Sequence, residues 1–587
     1  MERLDDGSAQ DIGCPSFPCH HPNQSCTFCF CPFYPCLDRD LGRFIDGSKG
    51  RVWDCSACAW IHRPSVARVL ADRLSGREGW EDLNELRVSM ETSFPKSGKS
   101  LMILGTTSNS GKSLMVAALC RILHGEGYSV SPFKGQNMSL NSAVTSRGEE
   151  ISRAQVLQAM AAGTEPVGEM NPILLKPKGG TTSQVILNGR PHQDMKVDRY
   201  YWEFALGEGI ESIRTSFRRL QRWHDAVMIE GAGSPAEINI ADREIANMRT
   251  ARVTGSPCLL VVNIDWGGAF AHILGTLELM EPEDRRLVKG VIINNMRGDP
   301  TLLDSGIEKI ERRTGVPVLG VVPHLDLYLP EEDSMGLRDQ GDGSARIGVV
   351  RLPHISNYTD LDPLVLEKEV SIRYVSEPRD LDGLDALVIP GTKNSVSDLE
   401  WMRRVGLCRA IKEMGAIPVL GICGGYQIMG REIIDSEGVE GERGDVHEAL
   451  GLLDVVTTFR DHSKTTVRVR GRLIAGEGGE VEGYEIHMGE TVNRGEDPLF
   501  VLGEGKDGRE EGAISSDGRY IGTYLHGLFE QPAFRHHFLS IMGLGSREVD
   551  HAKEVEGSLN SLAEAVKRSV DIGAVKRIMG LEERLDW

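Results

Sequence analysis

Gly105-Thr-Thr-Ser-Asn-Ser-Gly111-Lys112-Ser113 follows the apolar run Leu101–Leu104 and leads into a helical stretch over Ser113–Gly125. A strand, a glycine loop and a helix in that order let backbone N–H groups and the helix N-terminus cradle phosphate. Gly105, Ser110, Gly111, Lys112 and Ser113 are therefore the nucleotide-binding candidates, with Lys112 as a point charge and the Ser113 hydroxyl within reach of Mg²⁺. Five residues, not the usual four, separate Gly105 from Gly111.

Outward from this loop, short apolar runs at Ala226–Ile229, Leu259–Ile264, Val288–Ile293 and Val316–Val322 each end near Gly or Asp and precede helical segments. That rhythm predicts a parallel sheet with ligand groups at its strand ends. Glu230 closes one such run before Gly231-Ala-Gly233, where its carboxylate is placed to share Mg²⁺ with Ser113. Residues 331–345 are acidic and glycine-bearing without apolar period, so a linker is expected there.

A second alternating series follows at Ile347–Val350, Ile372–Val375, Ala386–Ile389 and Val419–Ile422. The last run delivers Cys423 between Gly421 and Gly425, a Gly-x-Cys-x-Gly nucleophile elbow whose helix N-terminus favours thiolate. A nucleophile needs a base, and the two downstream histidines in suitable settings are His526, ending Tyr520-Ile-Gly-Thr-Tyr-Leu-His526, and His487 in Gly483-Tyr-Glu-Ile-His-Met-Gly489. From Ala552 the chain reads as helix, expected to pack on this second domain.

Eight of the twelve cysteines lie between Cys14 and Cys58. Cys14, Cys19, Cys26, Cys29, Cys31, Cys36, Cys55 and Cys58, spaced partly as Cys-x-x-Cys, read as ligands for metal that staples a segment too poor in apolar period to build a core. All-thiolate sites select zinc or iron–sulfur, and the proline-rich knuckles favour structural zinc. A chain of 587 residues exceeds one core, which stops growing near ~250–300 residues. A formal charge of −20 argues against a nucleic-acid partner, since such binding rests on Lys and Arg neutralising phosphates. No apolar run reaches the ~18–20 residues of a membrane span, and Met1-Glu-Arg-Leu-Asp-Asp lacks a signal-peptide core, so no membrane association and a cytoplasmic location are expected. The oligomeric state stays open.

The loop together with Glu230-Gly-Ala-Gly233 resembles the dethiobiotin synthetase type of P-loop amidoligase. Lys134-Gly-Gln-Asn-Met-Ser139, Glu150-Ile-Ser-Arg-Ala-Gln155, Met170-Asn-Pro-Ile-Leu-Leu-Lys-Pro177, Ser183-Gln-Val-Ile186 and Ile264-Asp265-Trp-Gly-Gly268 resemble the cobyric acid synthase family of glutamine-dependent amidotransferases. Gly135, Asn263 and Trp266 depart from that family's usual residues. The resemblance implies that Lys134, Gln136, Asn137, Lys176 and Lys178 meet an anionic polycarboxylate, that His526 is the base, and that Gly391 and Gly424 supply the oxyanion hole. Position 528 is Leu where class I amidotransferase domains often carry Glu, so a Cys-His pair is implied with no third member. It further implies ATP, Mg²⁺ and glutamine as reactants, and amidation of the b, d, e and g carboxylates of adenosylcobyrinic acid a,c-diamide. A related a,c-diamide synthase, acting on cobyrinic acid or another tetrapyrrole, and a P-loop ATPase or metal-delivery protein without glutaminase activity are the alternatives. The cysteine-rich start resembles small cysteine-rich metal-binding domains.

The expected architecture is thus α/β: a small metal-stapled domain over 1–65, a linker over 66–98, a P-loop amidoligase domain over 99–330, the second linker, a class I glutamine amidotransferase-like domain over 346–545, and a helical tail over 546–587.

Overall fold

The computed structural model describes residue 14 and residues 18–581, apart from 39–40, 48–49, 57, 76–82, 95–96, 331–335, 461–463, 504–507 and 547–548. Part of the expected linker, at 331–335, and the last residues of the tail lie outside the described residues.

The start of the chain differs from expectation. Beyond a hairpin of Arg43–Gly47 with Gly50–Asp54, helices Pro64–Ser75 and Leu83–Ser93 gather around Phe33, Trp60, Ile61, Val66, Leu70, Leu86, Met90 and Phe94. Helices Pro64–Ser75 and Leu83–Ser93 are therefore not a linker but part of a small core, to which the cysteine-rich half adds Phe33, Trp60 and Ile61. Arg63, fully buried, donates to the carbonyls of Arg222 (2.8 Å) and Gln221 (3.2 Å) and pairs with Asp225 at 3.5 Å, docking this unit on the next domain.

The nucleotide-binding domain opens with β1 (Lys99–Gly105), α1 (Lys112–Gly125) and β2 (Val130–Phe133). A short hairpin, Ser142–Val144 with Glu150–Ser152, runs into α2 (Arg153–Ala161). An antiparallel set led by β3 (Ile173–Gly179) precedes β4 (Ala226–Glu230), β5 (Cys258–Asn263), β6 (Val288–Met296) and β7 (Val318–Pro323). The main sheet is parallel in the order β7-β6-β5-β1-β4-β2. Strands buried on both faces, such as Cys258–Asn263, explain why continuous apolar runs marked them in the sequence.

The second domain carries β8 (Ala345–Val350), β9 (Val370–Val375), β10 (Ala386–Ile389), β11 (Val419–Ile422) and α3 (Gly424–Met429). Long antiparallel β12 (Lys464–Leu473) and β13 (Gly479–Met488) belong to a separate five-stranded sheet, and β14 (Tyr520–Thr523) returns to the first. That main sheet runs β9-β8-β10-β11-β14, with the strand Ala513–Ile514 antiparallel at its edge.

The C-terminal helices α4 (His551–Ser569) and α5 (Ile572–Met579) correct a further expectation. They pack on the nucleotide-binding domain, not the second one: Val555, Leu559, Leu562 and Val566 share a core with Leu101, Met115 and Leu119, and Arg121 of α1 forks onto Glu556.

Candidate functional site

At the P-loop, Gly111 has φ 98°, and a Cβ there would lie 2.0 Å from Asn294 Nδ2, whose amide donates to the Ser110 carbonyl at 3.1 Å. A Cβ on Gly105 would meet Ser110 Oγ at 2.2 Å. Glycine at both positions is thus a steric requirement of the tight turn. Lys112 Nζ donates to the carbonyls of Thr107 (2.9 Å) and Gly233 (3.1 Å), which hold it across the loop. The buried hydroxyls of Thr106, Thr107 and Ser110 have no partner among the described residues, and they line a loop shaped for an acceptor-rich ligand such as phosphate.

Ser113 Oγ donates to Glu230 Oε1 at 2.9 Å, Lys134 Nζ stands 2.6 Å from the same oxygen, and Gln158 donates to Oε2 at 2.5 Å. This buried knot closes one wall of a cleft of about 640 Å³ that also takes in Asn137, Gly233, Asn294 and Leu562. The hydroxyl and carboxylate oxygens of Ser113 and Glu230 suit a hard cation such as Mg²⁺.

The residues expected to face an anionic substrate separate. Lys134 and Asn137 line the cleft, with Asn137 fixed by Ser152 (2.9 Å) and Gln155 (3.1 Å). Gln136 instead accepts from the Tyr200 hydroxyl at 2.7 Å, Lys178 pairs with Asp194 at 2.8 Å, and Lys176 pairs with Glu150 at 2.6 Å. Lys176 precedes the cleft-lining Pro177 on β3, and successive strand side chains point to opposite faces, so it is turned away from the cleft.

In the second domain the β11-to-α3 turn forces Cys423 to φ 53°, ψ −110°. Only glycine lets the chain close here: a Cβ on Gly425 would lie 1.8 Å from the Ile389 carbonyl oxygen. Cys423 Sγ donates to the Ile486 carbonyl at 3.4 Å and shares its cavity with His526, whose Nδ1 donates to Asp360 Oδ2 at 2.6 Å. The Gly527 N–H adds a 2.9 Å bond to Asp360 Oδ1. Burial alone would strip the His526 proton, but the Asp360 carboxylate and Cys423 outweigh it and raise the pKa to about 10. His487 lies beside the same cavity stacked on Tyr524 at 3.7 Å, and burial lowers it to about 4. Gly391 sits against the His526 ring, where an added Cβ would come within 3.3 Å of Cε1, and Gly424 follows the nucleophile.

Asp360 corrects the expectation of a bare Cys-His pair. It comes from the turn Tyr358–Leu361 rather than from two residues after the histidine, so no local spacing pointed to it.

Family models match residues 101–333 as a CobQ/CobB/MinD/ParA nucleotide binding domain, 346–534 as a CobB/CobQ-like glutamine amidotransferase domain and 7–80 as a cysteine-rich small domain. Cobyric acid synthase of Moorella thermoacetica is 46% identical over 83% of this chain and 99% of its own length. Those of Pelotomaculum thermopropionicum and a Nostoc species are 45% and 43% identical, over 82% and 81% of this chain and 97% and 98% of theirs. The chain belongs to the cobyric acid synthase family. It is an enzyme of the glutamine amidotransferase class. No helix among the described residues is long and apolar enough to cross a membrane.

Cys31, Cys36, Cys55 and Cys58 line a cleft of about 500 Å³ with His20 and His62, but among the described residues no group of three or more His, Cys, Asp or Glu stands where it could hold a metal ion.

Proposed function

We propose that the chain amidates the b, d, e and g side-chain carboxylates of adenosylcobyrinic acid a,c-diamide, using ATP and glutamine-derived ammonia, to give adenosylcobyric acid. The observation that carries this reading is the presence, in one chain of this family, of an intact nucleophile-base constellation and an intact phosphate loop with its buried carboxylate.

In the glutaminase half, Cys423 attacks the glutamine amide carbon, and N–H groups at Gly391 and Gly424 receive the oxyanion. The His526 imidazolium gives its proton to the departing nitrogen, the C–N bond breaks, and neutral ammonia leaves a glutamyl thioester on Cys423. His526 then takes a proton from water as water attacks the thioester, while Asp360 holds the ring orientation throughout. In the other half, the loop N–H groups and Lys112 hold the triphosphate while a substrate carboxylate takes the γ-phosphoryl group; ammonia then displaces phosphate from the acyl phosphate. Ser113 and Glu230 would hold Mg²⁺, which neutralises charge on the phosphates. Lys134 and Asn137 orient the polycarboxylate. Nothing in this scheme passes through the N-terminal cysteines.

The test is mass spectrometry of the diamide incubated with the full chain, Mg-ATP and amide-labelled glutamine, beside Cys423→Ala supplied with ammonium chloride. Four labelled nitrogens added stepwise, lost in Cys423→Ala with glutamine and restored with ammonium, are expected. Folded protein that incorporates nitrogen from neither source would overturn the substrate assignment.

A further inference from the structure

His526 is held from two directions, and both holds end on the nucleotide-binding domain. At the ring edge, Asp360 accepts from Nδ1. Over the ring face, Tyr484 of β13 stacks on the imidazole, with ring centroids 5.3 Å apart and planes 21° from parallel. Three hydrogen bonds then close a loop across the domain boundary. The Ser142 N–H donates to Asn357 Oδ1 (3.1 Å), the Asn357 amide donates to the Tyr484 hydroxyl (3.4 Å), and that hydroxyl donates to the Ser142 carbonyl (3.1 Å). Ser142 opens the short hairpin of the nucleotide-binding domain, and Asn357 immediately precedes the turn that carries Asp360. In that turn Thr359 donates to Asn141 Oδ1 at 3.0 Å. Arg153, the first residue of α2, lies 5.9 Å from the centre of the Tyr484 ring and pairs with Glu530 at 2.7 Å. Glu150, on the second strand of the hairpin, takes Lys464 of β12, which lines the nucleophile's cavity.

Adhesion between the domains does not call for this arrangement. Ala143 and Val144 of the hairpin already pack on Tyr484 and Ile486, and apolar contact alone would keep the surfaces together. What the hydrogen bonds add is direction. The backbone carries the same mark: Asn357 takes φ 50°, uncommon for a residue with a Cβ, and in that conformation its buried amide reaches both Ser142 and Tyr484. The bond from His526 to Asp360, at 2.6 Å, weakens steeply once its length or angle slips, so a turn or a ring free to shift by a fraction of an ångström would lose it.

We propose that Asn357 and Tyr484 are positioning residues of the glutaminase site, through which the hairpin of the nucleotide-binding domain fixes His526 against Asp360 and Cys423. Resting on the amidotransferase reading above, this makes the glutaminase geometry a product of both domains, although Cys423, His526 and Asp360 all lie in the second. Neither positioning residue exchanges a proton or forms a bond in the reaction. Facing His526 are Asp360, Cys423, Tyr484 and His487, with Arg153 and Glu530 beside Tyr484, while Lys176, Lys393, Lys464 and Glu440 line the cavity beyond. Burial raises the Tyr484 phenol, so it stays neutral wherever His526 titrates, and replacing it by phenylalanine removes a hydrogen bond without removing a charge. Any change in the titration of His526 in that variant then reports its hold on Asp360.

The experiment compares Tyr484→Phe and Asn141→Ala with wild type, in the full chain. Tyr484→Phe keeps the stacked ring and cuts the tie to Ser142; Asn141→Ala frees Thr359 from the side of the other domain. Glutamate release is followed from neutral pH to about pH 10, where His526 titrates in wild type. Amidation driven by ammonium chloride and melting temperature are read beside it. In both variants kcat for glutamate release is expected to fall roughly tenfold, the scale of a small misplacement of a reacting group. The alkaline limb of the pH profile is expected to move towards neutral, because a ring that loses Asp360 loses the charge that keeps it protonated. The ammonium-driven rate should stay within about twofold of wild type, since that reaction makes no use of His526. Wild-type kcat and an unmoved limb in both variants overturn the proposal. So does a loss of kcat that follows melting temperature with the limb in place, which would make the loop of bonds part of the scaffold only, and so does an equal loss from both nitrogen sources. Wild type that forms no amide from either nitrogen source would instead overturn the amidotransferase reading beneath it.

Discussion

Asp360 orients a histidine that the chain places far downstream, and its removal should be read at the single reaction it serves. Asp360→Asn keeps the shape but cannot accept from Nδ1–H in the same way, so the ring loses its fixed tautomer and the imidazolium its counter-charge. Glutamine-dependent amidation is expected to fall by roughly 10²–10⁴ in kcat, the scale of an orienting carboxylate, while amidation from ammonium chloride persists. Equal loss from both nitrogen sources would show that Asp360 serves folding instead. The same residue sets a pH dependence. The folded pKa of His526, about 10, lies above the ordinary value of 6.5, so its stabilising contribution is full below pH 6.5 and is lost as pH rises towards 10. Melting temperature should therefore decline over that window in wild type, and more shallowly in Asp360→Asn; parallel profiles would contradict the assignment.

At the scale of elements, the tail helix α4 makes the clearest prediction. Leu559 is fully buried in the core shared with α1, so Leu559→Ala removes that packing and leaves a void. A loss of about 2–5 kcal/mol is expected in chemical denaturation. Because Leu562 of the same helix lines the nucleotide cleft, ATP should also bind more weakly, as read by calorimetry. A destabilisation without loss of nucleotide affinity would separate the helix from the cleft. The helix was legible from its apolar spacing, but its partner was not, since periodicity reports that a face is buried and not against what. The same limit explains what else the chain disclosed. Strands such as Cys258–Asn263 announced themselves as continuous apolar runs, and the glycine frames around Lys112 and Cys423 betrayed both turns. Half-exposed β12, reading Lys-Thr-Thr-Val-Arg-Val-Arg-Gly-Arg-Leu, carries too little apolar signal to mark it as part of the glutaminase wall. Asp360 and Lys464 reach their site only through long-range pairing, which no local pattern encodes.

On the scale of the molecule, the cysteine-rich unit and the chemistry sit at opposite ends of the same strand. Asp225 stands immediately before β4 and takes the Arg63 ion pair and the Ser65 hydroxyl at 2.6 Å, whereas Glu230 ends β4 at the phosphate loop. Five residue steps along the strand set them roughly 16 Å apart, at ~3.3 Å per residue. Among the described residues none of the unit lines the nucleotide cleft, yet the unit is tied to the sheet through charges that water does not reach. Arg63→Met deletes one partner of a pair whose side chains are 0% and 3% exposed and leaves Asp225 buried beside the docking surface. Breaking such a pair costs about 3–5 kcal/mol, because the surviving charge remains desolvated. The expected outcome is a marked fall in melting temperature with earlier proteolysis near residue 63, while kcat at low temperature stays within about twofold of wild type. Should kcat fall instead with stability unchanged, the unit would have to act on the cleft through β4, and its docking would be part of the reaction rather than of the scaffold.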